Sequence, residues 1–600
     1  MKCSESWLRK WVNTNLTGEK LCHALTMAGL EVEQYAPVAA DFSGIVIGEI
    51  VKIEKHPEIQ RLHLCVVNIG KSALLKIVCG ANNVKLGMKV PVAIPGAILA
   101  NHKTIQSSHI HGFLSEGMLC SAKELGLSEE AEGLFELEAS APVGEVLRNY
   151  LNLDDYLIDI SITPNRGDCL SVKGLAREIS ALTRTTLNEI TISACEPTHQ
   201  ETLSIVVQDQ IACPRYVGRV IREVKADAIT PLWMKECLQR GGVRSISPIV
   251  DITNYVMLEL GQPMHAFDLA CINQGIIVRQ SKQNEQISLL DGSEQTLDAQ
   301  TLIIADHEKP LAIAGVMGGL TSSVTLNTKD IFLESAYFSP EVIARQRQFY
   351  NLSSESAYRF ERTVDSAIQR EAIERATQLI LAIAGGEVGP VVDLVNEEAL
   401  PKKKLVELSS TKIKQILGIS IPKQTVNAIF NALRFSYEET TSNQAIENKE
   451  ETIWCVAVPS FRPDITIRED LIEEIARLYG YENIPTHSLK AELSSHSSSH
   501  SQDLDFFRQI FCDNGYHEII SYSFIDKKLQ SLFDPQNLPR ELLNPMSTEL
   551  AVMRTTLWPG LINTLLYNKS RQQARIRLFE IGTCFISQEK SLLQPLRLAG

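Results

Sequence analysis

At about Asp41 the apolar residues change their spacing, and that change decides how the chain is built. Before it, Trp7, Leu8, Trp11, Val12, Leu21 and Leu25 recur at helical intervals, and Gly29 offers a C-terminal stop. After it come short runs rich in strand-forming residues, at 45–53, 62–67, 74–79 and 90–96, set apart by turn residues. Strands this short and this frequent predict a small closed or partly closed β-barrel. An oligonucleotide-binding barrel is one such fold, and periodicity does not separate it from the others. Six hundred residues exceed what one core serves, so this barrel is one domain among several.

The totals exclude some classes. A hydrophobic fraction of 44% with 22% charged residues is ordinary for soluble globular protein. No run of eighteen apolar residues occurs, and the opening MKCSESWLRKW has no apolar core of signal-peptide type. The expectation is a cytoplasmic chain with no membrane partner. Thirteen cysteines lie scattered without a CxxC pair, which suits reduced, mostly buried thiols rather than disulfides or zinc. A net charge of −14 argues against broad nucleic-acid affinity but leaves room for an RNA recognised by shape and local patches.

The stretch Phe461 to Pro485, FRPDITIREDLIEEIARLYGYENIP, concentrates the acids Asp464, Asp470, Glu473 and Glu474. If the part after Ile467 is helical, Asp470, Glu473, Glu474 and Arg477 share one face and Leu471, Ile472, Ile475 and Leu478 the other. Like charges three and four apart oppose a helix by a few tenths of a kcal/mol per pair. A divalent cation held by oxygen ligands would offset that, as would Arg477, and a merely solvated acidic face is the third reading.

Elsewhere the residues alone say less. The segment Tyr156 to Cys169 leads into an amphipathic helix near Leu175 to Leu182, and Asn165, Arg166 and Asp168 read as a structural turn. His109-Ile110-His111-Gly112 reads as a strand position. Residues 405–480 carry two helical patterns and a strand at 453–458, as in a small α+β module. Ala491 to Asp505, AELSSHSSSHSQDLD, reads as a polar linker in which His496 and His500 are more simply connector than metal ligands. Within Arg244 to Asp268, the polar Asp251, Asn254, Gln262, His265 and Asp268 stand among apolar residues, with no triad spacing and no phosphate loop. A lone His265 is most simply a hydrogen-bonded structural residue.

Several separate words resemble one family. Pro459-Ser460-Phe461-Arg462-Pro463-Asp464 with the acidic helix, Lys55-His56-Pro57, Val78 to Val84, Ser115 to Ser121, GQPMHAFD at 261–268, GVMGG at 315–319 and LESA at 333–336 are similar to the bacterial phenylalanyl-tRNA synthetase beta subunit. So are Met553 to Leu561 and Arg577 to Gly582, where Arg577-x-x-Glu580 is one residue off the ATP-gripping Arg-x-Glu of class II synthetases, so no adenylation site is read there.

The resemblance implies a multidomain α+β chain. It places an N-terminal α/β domain at 1–40 and 149–199, interrupted by an OB-type tRNA-binding barrel at 41–148. A mixed α+β editing domain follows at 200–400, then a small α+β metal-binding module at 401–484, a linker at 485–503 and a partial class II synthetase-like antiparallel-sheet domain at 504–600. The family's remaining synthetase-like region and its C-terminal anticodon-contacting domain are absent from this sequence.

The resemblance also implies chemistry. It gives Mg²⁺ to Asp464, Asp470, Glu473 and Glu474 as an inner-plus-outer-shell group shared with an alpha subunit, since Mg²⁺ takes only one or two carboxylates directly. It implies a heterotetramer of two alpha and two beta chains that joins phenylalanine to its tRNA, with ATP and phenylalanine bound mainly by alpha. It implies an editing site that hydrolyses mischarged tyrosyl-tRNA, built from His265, Gly318, Glu334, Ser354 and Ser356. Glu334 would read the tyrosine hydroxyl and His265 would position the ester or the attacking water. The chain departs from the family at Ser354-Glu355-Ser356-Ala357, where Thr-Asp-Ala-Ser is usual, and at Thr363, where glycine is usual. The alternative is a non-enzymatic tRNA-binding and assembly subunit with a decayed editing site.

Overall fold

A computed structural model describes residues 1–128, 133–444, 449–486, 488, 504–588 and 591–600. The serine-rich linker, with His496 and His500, falls outside the described residues. Two compact units emerge, 1–486 and 487–600.

The first unit starts with β1 (Lys2–Ser4), α1 (Glu5–Trp11), α2 (Gly18–Met27) and β2 (Glu31–Pro37). Ser4 caps α1 by accepting from Trp7 N at 3.2 Å. α2 ends as its sequence predicts: Gly29 turns left-handed at φ 89° and Leu30 N closes back on Leu25 O at 2.9 Å. The short-strand region then forms an antiparallel sheet of β3 (Ser43–Lys55), β4 (His63–Asn68), β5 (Leu75–Cys79), β6 (Lys89–Ile98) and β7 (Met118–Leu119), in the order β5-β4-β3-β6-β7. His109 and Ile110 lie in a strand at 108–110 that turns at His111 and Gly112 (φ 46° and 86°) and pairs with 113–115. β8 (Tyr156–Ser161) returns between β1 and β2, setting Ile158 against both Cys3 and Tyr35. The intervening sheet is thus an insertion between two strands of one layer. α3 (Val172–Thr183), capped by Ser171, packs on α1 through its apolar side.

The next segment holds an antiparallel sheet of β9 (Arg215–Arg222), β10 (Met264–Asp268) and β11 (Ile331–Tyr337), in the order β10-β11-β9. Strands 387–388 and 392–395 extend it beyond β9. Every residue of β11 is buried, as a central strand covered on both faces must be. α4 (Pro248–Leu260) precedes β10, with Pro248 in its first turn and Gly261 at φ 87° past its end. It is buried nearly all round because it lies inside. α5 (Glu355–Phe360) and α6 (Gln369–Ile383) follow, α6 packing on β9 and β11. A second five-stranded sheet runs through 204–207, 275–280, 302–305, 310–313 and 317–318. This domain shares one continuous apolar core with the N-terminal module, where Trp7 stacks on Tyr255 at 5.0 Å.

Residues 405–409, 449–457 and 436–444 build a further antiparallel sheet around Trp454. It packs against helices 410–417 and 423–432 and against α7 (Arg468–Tyr479). In the second unit, strand 578–583 lies between 517–518 and 596–599 beside helix 558–570. No described helix is long and apolar enough to cross a membrane.

Candidate functional site

Strand register assembles the first candidate site. His265 on β10 stands directly opposite Glu334 on β11, so the two side chains share one face of the sheet. The word that carries His265 is anchored just before it. Gln262 donates to Pro263 O and Ala336 O at 2.8 and 2.9 Å and accepts from Gln369 at 3.0 Å. Asp251, the buried acid of α4, accepts from Thr230, Ser245 and the backbone of Ile246, and Asp268 accepts from Thr328 at 2.6 Å. These polar residues are scaffold.

The imidazole of His265 packs edge-on to Phe267 at 4.4 Å, and its Nε2 is buried with no hydrogen-bond partner. Burial pushes its pKa down to about 4, so the ring is neutral at physiological pH. Gly318 lies against it: a Cβ there would stand 2.5 Å from Cε1 and 2.8 Å from Nε2, so any side chain at 318 displaces the ring. Glu334 is 6% exposed, and its Oε2 accepts from the hydroxyl of Tyr216 at 2.9 Å. Burial lifts its pKa to about 8, with the Tyr216 hydrogen bond pulling the other way. Sequence reasoning passed over Tyr216, which sits in the strand RYVGRVIR with nothing local to mark it.

His265, Gly318, Glu334 and Ser356 line one cavity with Met317 and Phe360. Ser354 stands behind its wall: it caps α5 by accepting from Ala357 N at 3.1 Å and donates to Val316 O at 2.6 Å. That bond ties α5 to the glycine-rich loop. The cavity measures about 50 Å³.

The acidic segment departs from its expected face. Asp470 serves the start of α7, accepting from Thr466 N at 2.7 Å and Ile467 N at 3.0 Å. Glu473 faces solvent and makes no hydrogen bond or ion pair among the described residues. Glu474 is buried instead. Arg462 donates to its two oxygens at 2.8 and 2.9 Å, and Arg477 donates to both as well. An ionised carboxylate has about four lone-pair positions, so Glu474 keeps none for a metal. Asp464 binds the other edge of Arg462, 2.9 Å through each oxygen.

The pairing continues into α3: Arg477 reaches Glu178 at 2.6 Å, and Arg166 reaches Glu178 at 2.8 Å and Asp168 at 3.0 Å. Seven alternating charges from Asp464 to Asp168 thus join the 405–480 module to the N-terminal one. Against the upward push of burial, Arg477 and Arg462 hold the Glu474 carboxyl well below the usual carboxylate range. Among the described residues, one group of three potential ligand atoms lies within 4.8 Å of one another, at Asp168, Cys169 and Glu178, and Arg166 pairs with both acids. Asp464, Asp470, Glu473 and Glu474 form no such group. As a set of four they do not fit one Mg²⁺; Asp470 and Glu473 alone keep oxygens without competing arginines.

Comparison with known proteins bears on these sites together. Family models match in chain order: a tRNA binding domain at 45–146, a B3/4 domain at 212–385, a tRNA synthetase B5 domain at 406–481, and the phenylalanyl tRNA synthetase beta chain CLM domain at 484–600. The phenylalanine–tRNA ligase beta subunit of Pseudomonas putida is 50% identical over 602 aligned residues, which take in 100% of this chain and 75% of that protein. The chain belongs to this family. The beta subunits of Pseudoalteromonas translucida and Aliivibrio fischeri are 48% and 47% identical, over 98% and 100% of this chain and 73% and 75% of theirs.

Family membership gives the remaining features a context. The tRNA-binding match contains a groove of about 1,090 Å³, lined by Cys79, Asn82 and Asn83 of one word, by Gly117 and Ser121 of another, and by Lys103. Within the B3/4 match, Thr363 holds φ at 70°, a left-handed conformation that glycine adopts without steric cost. In the CLM match, Glu580 pairs with Arg554 at 2.7 Å and with Ser521, while Arg577 is bound to Asn514 O instead. The Arg577-x-x-Glu580 word therefore makes no paired grip.

Proposed function

We propose that this chain is the tRNA-binding and proofreading subunit of a phenylalanine–tRNA ligase. It works beside a catalytic alpha subunit, in a complex of two alpha and two beta chains, that activates phenylalanine with ATP. The observation that carries this reading is the buried Glu334, set across the strand pair from a neutral His265 whose free nitrogen abuts Gly318.

A phenylalanine pocket rejects an added hydroxyl only about a hundredfold, so tyrosine reaches the tRNA. A second site lined by a buried carboxyl selects the other way. The tyrosine hydroxyl pairs with the Glu334 oxygen that Tyr216 leaves open, whereas phenylalanine leaves that oxygen unpaired in the interior. His265 Nε2 then orients the water or ester carbonyl for hydrolysis, and Gly318 keeps the ring in place. Ser356 adds a hydroxyl to the wall, and Ser354 holds α5 against the loop.

The four acids together do not fit one magnesium ion; an ion held on the acidic helix would supply charge neutralisation there. Asp470 and Glu473 are the residues here with the donor oxygens to hold it. The test is deacylation of tyrosyl-tRNA by the complex. Rapid hydrolysis of tyrosyl-tRNA with phenylalanyl-tRNA spared supports the reading. No hydrolysis leaves a tRNA-binding assembly subunit.

A further inference from the structure

β9 puts an unassigned aromatic hydroxyl into the pocket's wiring. In the β9–β11 register Gly218 faces Glu334 and Tyr216 faces Ala336, so Tyr216 is the diagonal neighbour of Glu334 on the same sheet face. Diagonal neighbours stand about 7–8 Å apart, a gap that a tyrosine spans and most side chains do not. The direct position opposite Glu334 is empty of side chain, since a Cβ on Gly218 would come within 2.4 Å of Phe332 Cζ. Phe332 fills that space, and Glu334 is left with Tyr216 as its partner on the β9 side. Tyr216 is fully buried, and its hydroxyl donates to Oε2 at 2.9 Å.

We propose that Tyr216 is a specificity-determining positioning residue for proofreading: it occupies Oε2 of Glu334, fixes the carboxyl plane and leaves Oε1 alone to meet the hydroxyl of the substrate. This rests on the proofreading reading above. A freely rotating buried carboxyl would meet phenylalanine and tyrosine esters with less contrast, because it could turn toward its own protein neighbours. Tyr216 is an internal copy of the phenol being judged, so the site accepts a second phenol in a geometry the first one sets. Its own ionisation is pushed far up, by burial first and then by Glu334, so it stays a donor across the working range.

The titratable groups facing Glu334 are few. They are Tyr216 from β9, His265 from β10, and the Cys213 thiol just before β9, which stays protonated through burial. Among the cavity's lining residues, only His265 and Glu334 titrate. A pH midpoint near 8 in tyrosyl-tRNA hydrolysis therefore belongs to Glu334.

Tyr216→Phe keeps the ring and deletes the donor. Measured on the complex with the alpha subunit, with uncatalysed ester loss subtracted, it should raise KM for tyrosyl-tRNA and narrow the tyrosine-over-phenylalanine ratio about tenfold or more. It should also move the pH midpoint upward by about one unit, since a lost hydrogen bond to the ionised form favours the neutral one. Glu334→Gln should abolish the midpoint, and adding Tyr216→Phe to it should not change the ratio further. A merely structural Tyr216 would lower thermal stability without moving the midpoint. An active unmodified complex whose Tyr216→Phe variant keeps the same ratio and midpoint overturns the assignment alone. An inactive unmodified complex overturns the proofreading reading and this assignment with it.

Discussion

Glu474→Gln separates a structural joint from a metal ligand. The substitution keeps size and removes one charge from a carboxylate that receives four hydrogen bonds from Arg462 and Arg477. Both guanidiniums are at most 4% exposed, so water does not replace the lost partner. Unpairing one member of a buried ion pair costs about 3–5 kcal/mol. An unfolding entropy of about 2.1 cal/mol/K per residue gives about 1 kcal/mol per degree for the 1–486 unit, so Tm should fall by about 3–5 °C where that unit melts cooperatively. The loss should be present in EDTA, because it comes from arginines and not from magnesium. Glu473→Gln, at an exposed position, should change metal-free stability by no more than about 0.5 kcal/mol. Paired differential scanning calorimetry and urea titrations, with EDTA and with Mg²⁺, make the comparison. A Glu474→Gln chain that melts with the unmodified chain in EDTA, and loses only a magnesium-dependent increment, would refute the ionic joint and restore Glu474 as a ligand.

Gly318→Ala should abolish tyrosyl-tRNA hydrolysis, since its Cβ would stand 2.5 Å from the His265 ring, while far-ultraviolet circular dichroism stays unchanged. Glu334 also sets a pH dependence of stability. Its folded pKa of about 8 lies above the ordinary 4.5, so its contribution is complete below pH 4.5 and is lost as pH rises toward 8, at about 1.4 kcal/mol per unit. Glu334→Gln should flatten that slope in urea titrations between pH 5 and 8. The neutral His265 acts oppositely, its contribution present above about 6.5 and lost as pH falls through about 4. Thr363→Gly relieves a β-branched residue at φ 70° and should raise stability by about 0.5–1 kcal/mol after the added chain entropy of glycine, read from the urea midpoint.

Local signals were legible in the sequence, and long-range pairings were not. The Gly29 stop, the strand runs after Asp41 and the helix at 172–183 follow from spacing and backbone chemistry that neighbouring residues decide. His265 and Glu334 were reached by resemblance, since they lie sixty-nine positions apart in the chain and only the β10–β11 register makes them opposites. The acidic helix shows where periodicity stops. A helical wheel sets Glu473 and Glu474 on one polar side, yet Arg462 draws one inward and leaves its neighbour in water. Arg477 meets Glu178 across 299 residues of chain, and Arg166, read as part of a structural turn, lies buried between Asp168 and Glu178. Tyr216 was invisible for the same reason: its partner is chosen by the register of β9 against β11.

The proofreading claim is tested most directly by presenting purified tyrosyl-tRNA to the complex of this chain with its alpha subunit, unmodified and as Glu334→Ala. The unmodified complex should clear tyrosyl-tRNA and spare phenylalanyl-tRNA. Glu334→Ala should slow clearance roughly five- to a hundredfold, the equivalent of about 1–3 kcal/mol for a buried tyrosine hydroxyl left without its partner, and leave phenylalanine charging near its original rate. Equal clearance by both proteins, or none by the unmodified complex, would contradict a hydroxyl-reading site at Glu334.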